Sequence, residues 1–116
     1  MVPSRGVVLL PVDPWRADQV LSNRVRLDIV QALLSEKELH ISELERSIKK
    51  PWGTVAYHLG LLEDAGIVKS EYRLGEHQSK APVKRYYWVQ KAKLREYVEA
   101  WGELPRGVLE KVARKG

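Results

Sequence analysis

The chain has 116 residues, 44% hydrophobic and 30% charged, with 20 Lys+Arg against 15 Asp+Glu and a net charge of +5. That length is one domain with room for short appendages, and the basic excess favours a polyanionic partner without choosing between nucleic acid and an acidic membrane surface. Cysteine is absent, which excludes disulfides, thiolate catalysis and thiolate metal sites.

Residues 1–13 read as an N-terminal arm, extended through Pro11 and able to add an edge strand. Its apolar run, Val7 to Leu10, is too short for a secretory signal core and far too short to span a bilayer. No other stretch is apolar enough, so a soluble, cytoplasmic protein with no membrane partner is expected. Asp13-Pro14 is the order of an N-cap and first helical residue, and Trp15, Val20 and Leu21 continue a helical turn or two that re-starts at Ser22-Asn23. From Asn23 to Leu34 an amphipathic helix is expected. Val25, Ile29, Ala32 and Leu33 fall at i, i+4, i+7 and i+8, Leu27, Val30 and Leu34 widen the stripe, and Arg24, Arg26, Asp28 and Gln31 take the surface. A shorter helix starts at Ser42, where Ser42 and Glu45 match an S-x-x-E capping box, with Leu44 and Ile48 inward. Ile41 is placed for a staple or a one-residue strand contact.

Lys49-Lys50-Pro51 break the chain, because proline disfavours helix at the residue before it. The next helix runs from Trp52 to Ala65, with Val55, Leu59 and Leu62 inward and Gly66 as the C′ glycine. Ile67–Leu74 and Val83–Val89 are strand-like, joined by a polar loop from Gly75 to Pro82 into a hairpin. Alternation sends Tyr86 and Trp88 to one face and Tyr87 to the other, and packs one of those faces on the core. After Gln90, Leu94, Tyr97, Val98 and Trp101 make a helical face; Gly102 and Pro105 interrupt it, and Val108, Leu109 and Val112 continue as a short last helix.

Two helices joined by a tight turn and followed by a hairpin predict an α+β, mostly helical fold: a winged helix-turn-helix, with a three-helix core, a β-hairpin wing and a C-terminal helical extension. The expected division is an arm at 1–13, the winged-helix domain at 14–89 and C-terminal helices at 90–116. The second helix of such a pair fills the major groove, and the hairpin reaches neighbouring phosphates or the minor groove. Ser22-Asn23-Arg24-Val25-Arg26-Leu27-Asp28-Ile29-Val30 resembles the opening helix of ArsR-type regulators. Gly53 to Val68 resembles their recognition helix and its exit into the wing, through the Thr-Val, His-Leu, Leu-Leu and Ala-Gly-Ile-Val elements. The resemblance spans roughly Leu21 to Val89 and implies a transcription regulator that binds double-stranded DNA as a homodimer. Gly60 departs from the Lys or other polar residue common there, and Trp52-Gly53 from a small polar pair, so base preference does not carry over. Metal sensing does not carry over either, the cysteines being absent; no metal and no cofactor is expected.

With Val55, Leu59 and Leu62 inward, the outward positions of the helix are Gly53, Thr54, Ala56, Tyr57 and Gly60. Thr54 and Tyr57 are assigned to groove contacts, Gly53 and Gly60 to close backbone approach, and Lys49 and Lys50 to flanking phosphates. Trp52 and His58 complete the DNA-facing set. For Trp52 and Tyr57 packing is the competing role, and His58, beside the buried stripe, fits a hydrogen-bonded structural histidine better than a base contact or metal ligand. His40 and His77 lie far apart, without metal-ligand spacing. Between positions 73 and 85, Arg73, Lys80, Lys84 and Arg85 face one acid, Glu76, which suits a phosphate-contacting wing. Leu94, Tyr97, Val98 and Trp101 are assigned to dimerisation, with cover of the chain's own core as the alternative. A winged helix can also serve as a protein-interaction module in a transcription or repair assembly. No paired carboxylates, nucleophile–base set or phosphate-cradling glycine loop stands at credible spacing, so an enzyme is not expected. A small-molecule effector is left open.

Overall fold

Five helices and three strands follow one another in a computed structural model that describes residues 12–74 and 83–115. They are α1 (Pro14–Leu21), α2 (Arg24–Glu36), β1 (Leu39–His40), α3 (Ile41–Ile48), α4 (Trp52–Asp64), β2 (Val68–Leu74), β3 (Val83–Val89) and α5 (Lys91–Lys115). The expected extended arm through Pro11 and the hairpin loop carrying Glu76, His77 and Lys80 lie outside the described residues.

Local chemistry sets most of the boundaries. The Asp13 carboxylate accepts the Arg16 N–H at 3.1 Å with Pro14 in the first turn, and the Asn23 side chain accepts the Arg26 N–H at 3.0 Å. At the end of α4, Gly66 takes φ +80°, its N–H reaches the Glu63 carbonyl at 2.9 Å, and the Ile67 N–H reaches the Leu62 carbonyl at 3.0 Å. That pair of bonds is a Schellman close, and it aims the chain straight into β2.

Two boundaries differ from expectation. The capping residue of α3 is His40, whose N–H donates to the Glu43 carboxylate at 3.0 Å, so the Ser42–Glu45 box does not form. The cause is β1: Leu39 and His40 pair with Tyr87 and Tyr86, which holds His40 extended and starts the helix at Ile41. The second difference is α5, one helix of 25 residues that runs through both Gly102 and Pro105. Proline removes one helix bond, but the segment beyond it lies along Trp15 of α1, which shares a shallow groove with Leu104, Gly107 and Val108.

The sheet order is β1-β3-β2, antiparallel throughout, with Ser70 opposite Tyr87 and Tyr72 opposite Arg85. One core threads all the helices and the sheet: Ala17 and Leu21 from α1, Ile29 and Leu33 from α2, Leu44 from α3, Val55, Leu59 and Leu62 from α4, Val68 and Tyr87 from the sheet, and Tyr97 and Ala100 from α5. Tyr87 is the strand aromatic turned inward, with Tyr86 and Trp88 half-buried on the other face. Leu27 and Leu34, expected to widen the buried stripe of α2, are 37% and 41% exposed. Arg26, expected on the surface, is buried in their place.

Candidate nucleic-acid interface

Helices α3 and α4 are joined by Lys49, Lys50 and Pro51, and Lys49 closes α3 in the left-handed region at φ +58°. Val55, Leu59 and Leu62 are fully buried against α2 and α3, which turns the opposite side of α4 outward. There Gly53, Tyr57, Gly60 and Asp64 follow at i, i+4, i+7 and i+11 on one line. Trp52 is 60% exposed and Tyr57 63%; Thr54 and Ala56 flank them, partly exposed. Beyond the local helix backbone and chain neighbours, nothing among the described residues lies within 4 Å of where a Cβ on Gly53 or Gly60 would stand. Pro51 supplies no side-chain cap to α4, so the first-turn N–H groups face outward without a side-chain acceptor.

His58 belongs to the inside of this helix. Its Nδ1 lies 2.9 Å from Arg26 Nη1; arginine only donates, so Nδ1 accepts and the ring hydrogen sits on Nε2. Arg26 also donates from Nε to the Val20 carbonyl at 2.6 Å and from Nη2 to the Gln19 carbonyl at 3.0 Å. One buried guanidinium thus closes the C-terminal end of α1 and ties it to α4 from its seat on α2. Burial, and then the Arg26 charge, hold the His58 pKa below its ordinary 6.5. The unfolded chain therefore binds more protons than the folded one as pH falls through that value, and stability present above about pH 6.5 is lost below it. Unfolding midpoints measured from pH 5 to 8 are expected to drop on the acid side, with a flatter profile in His58→Gln. An unchanged profile would show that His58 is not held neutral.

The wing cations divide. Arg85 donates from Nε to Ser70 Oγ at 2.8 Å and from Nη2 to the Glu63 carboxylate at 3.0 Å, while Ser70 Oγ–H donates to Glu63 at 2.7 Å. This cluster fastens the wing to the last turns of α4. Arg73 bonds Glu38 through both Nη atoms and Glu71 through Nε, and the arginine holds the Glu38 carboxyl below its usual pKa. The acids that engage these two arginines, Glu38, Glu63 and Glu71, stand outside the 73–85 window, so the local charge there overstated what the wing offers. Lys84 is exposed and has no ion-pair partner among the described residues. Lys80 lies outside them.

Lys49 and Lys50 are exposed and share a shallow groove with Arg46, Ser42 and Glu45. Arg46, which is not among the residues expected to face phosphates, stands one helical turn before Lys49. On α5, Tyr97 is buried within the chain, Leu94 packs partly on the core, and Trp101 donates its indole N–H to Asp18 at 2.9 Å. Of the four residues assigned to dimerisation, only Val98 is largely outward, at 48% exposure.

Residues 21–71 match the model of a family described as a helix-turn-helix domain. Over 54 residues, 47% of the chain, it is 35% identical to an uncharacterized HTH-type transcriptional regulator of Methanocaldococcus jannaschii, and it spans only 14% of that protein's length. Among solved structures, a transcriptional regulator homologue from Pyrococcus horikoshii OT3 superposes with a TM-score of 0.60 at 20% identity, covering 81% of this chain and 88% of the other. An ArsR family transcriptional regulator gives 0.57 at 22% identity, over 81% and 87%. At such identities these likenesses carry the fold. No helix among the described residues is long and apolar enough to cross a membrane.

Proposed function

We propose that this chain, whose residues 21–71 match a helix-turn-helix domain and whose fold resembles that of an ArsR family regulator, is a sequence-specific DNA-binding transcription regulator that binds as a homodimer, with α4 in the major groove and β2–β3 as the wing. The observation that carries the reading is the outward line of α4. Two glycines in a helix cost roughly 0.5–1 kcal/mol each relative to alanine. No packing contact among the described residues requires them, since both stand over open space. A second surface brought close to the backbone accounts for both. Trp52, Thr54, Ala56 and Tyr57 flank that line, and Lys49, Lys50 and Arg46 stand at its leading end for phosphates. His58, Arg73 and Arg85 act indirectly, holding α4 and the wing in place, and Lys84 is a wing cation without an ion-pair partner among the described residues.

The length of α5 supports a dimer seam on it. At 25 residues it extends about 37 Å, against about 12 Å for the 8-residue α1 that packs on it. Its apolar stripe continues in phase past α1, and Val108, Leu109 and Val112 stand 62%, 66% and 63% exposed. We assign the seam to these residues with Val98, since Tyr97 and Trp101 are engaged within the chain. A domain of this size gains from such pairing, because alone it buries only about two thirds of its unfolded surface.

The test is binding to a DNA site selected from a random pool, measured at several salt concentrations. Affinity is expected to fall steeply with salt, and Lys84→Ala to flatten the log–log slope by about 0.9 for each copy bound. Salt-insensitive binding, or none, would falsify the reading. The exposed aromatics Trp52 and Tyr57 also suit a protein-interaction surface; full DNA affinity in Tyr57→Ala together with a stoichiometric protein partner would transfer the assignment to that reading.

A further inference from the structure

The face of the sheet that α4 does not cover carries a second recess. A groove of about 430 Å³ lies between the C-terminal end of α2, the wing strands and the first residue of α5. That volume is within the range of small-molecule sites. Its apolar wall includes Leu34 and Trp88, both left partly exposed. Its charged wall is ordered. Arg73 is held by Glu38 and Glu71, and the two lysines that complete the lining, Lys37 and Lys91, have no ion-pair partner among the described residues.

Lys37 has a further peculiarity. It stands at φ +74°, ψ −50°, a region that L side chains rarely adopt. Such a backbone costs on the order of 1–3 kcal/mol for a residue other than glycine, and strain of this kind gathers at ligand clamps. The chain keeps a lysine where glycine would be relaxed, and that lysine lines the groove. Three cations against two acids leave the lining at +1, which suits a monoanion and disfavours a dianion that would meet both carboxylates.

We propose that this groove binds a small, flat organic monocarboxylate, its apolar body against Trp88 and Leu34 and its carboxylate received by Lys37 and Lys91. An occupant touches α2, the wing and α5 at once and so stabilises their mutual placement. Binding is measured without DNA, so its failure leaves the DNA-binding reading untouched.

The experiment titrates 2-naphthoate into the full chain and follows the Trp88 indole N–H resonance, assigned with Trp88→Phe. A saturable shift is expected below about 10 mM. The double variant Lys37→Ala/Lys91→Ala should weaken it about fivefold or more, and the neutral 2-naphthylmethanol should bind more weakly by a similar factor. Lys37→Gly, which relaxes the backbone and removes the ammonium, should raise the thermal midpoint while weakening naphthoate. No saturable shift, an equal response to the neutral compound, or indifference to the lysine variants overturns the proposal.

Discussion

Replacing Arg26 with methionine is expected to remove about 2–4 kcal/mol of stability. The arginine is 9% exposed and makes three hydrogen bonds from one guanidinium, to the carbonyls of Gln19 and Val20 and to His58 Nδ1. Hydrogen bonds to charged groups contribute about 1.5–3 kcal/mol each, less than additively when they share one donor group. Methionine keeps much of the stem but leaves two carbonyls at the end of α1 and a ring nitrogen on α4 without donors. Lysine is expected to recover only a small part, because a single ammonium cannot reproduce a planar fork that spans three acceptors on two elements. Against a total of about 5–15 kcal/mol for a domain of this kind, the loss is large. Urea unfolding of the two variants measures it. A change under about 1 kcal/mol would mean that the cluster neither closes α1 nor holds α4.

How much of this was legible in the sequence differs from one element to the next. The inner face of α4 and its glycine stop were fixed by spacing and by the φ that Gly66 adopts, both local properties. The alternation of Tyr86, Tyr87 and Trp88 was equally local. Arg26 was legible only in part: it stands three residues before Ile29, four before Val30 and seven before Leu33, in phase with the buried stripe. Nothing local said which carbonyls would meet it, because those belong to the end of a separate helix. The same limit hid the pairing of Arg73 with Glu38 and of Arg85 with Glu63, acids that lie 35 and 22 residues away, although Arg73's second acid, Glu71, is only two residues distant. The cap of α3 was misplaced for a related reason. A two-residue strand has no periodicity to detect, and β1 exists only because β3 pairs with it from the other side of the chain.

Gly53→Leu separates the fold from the interface and should move them in opposite directions. The glycine is exposed in the first turn of α4, and a Cβ there meets nothing among the described residues within 4 Å beyond the local helix backbone and chain neighbours. Leucine is the better helix former, so the free protein should be no less stable and should gain up to about 0.5–1 kcal/mol. On DNA the expectation reverses. With the outward line of α4 seated in the major groove, the new side chain holds the helix off the base edges and withdraws Thr54 and Tyr57 from them. Good base contacts are worth about 1–3 kcal/mol each, so losing two corresponds to roughly a hundredfold weaker binding to the selected site. Binding to arbitrary DNA should change little, because leucine at position 53 does not obstruct Lys49, Lys50 or Lys84, the lysines proposed to meet phosphates. The ratio of specific to non-specific affinity is therefore the quantity to measure, alongside the thermal midpoint. Unchanged specific affinity with a raised midpoint would mean that the open line on α4 meets no DNA, and the two glycines would need another partner. Loss of both affinities with a lowered midpoint would mean instead that the leucine disturbs the turn after α3.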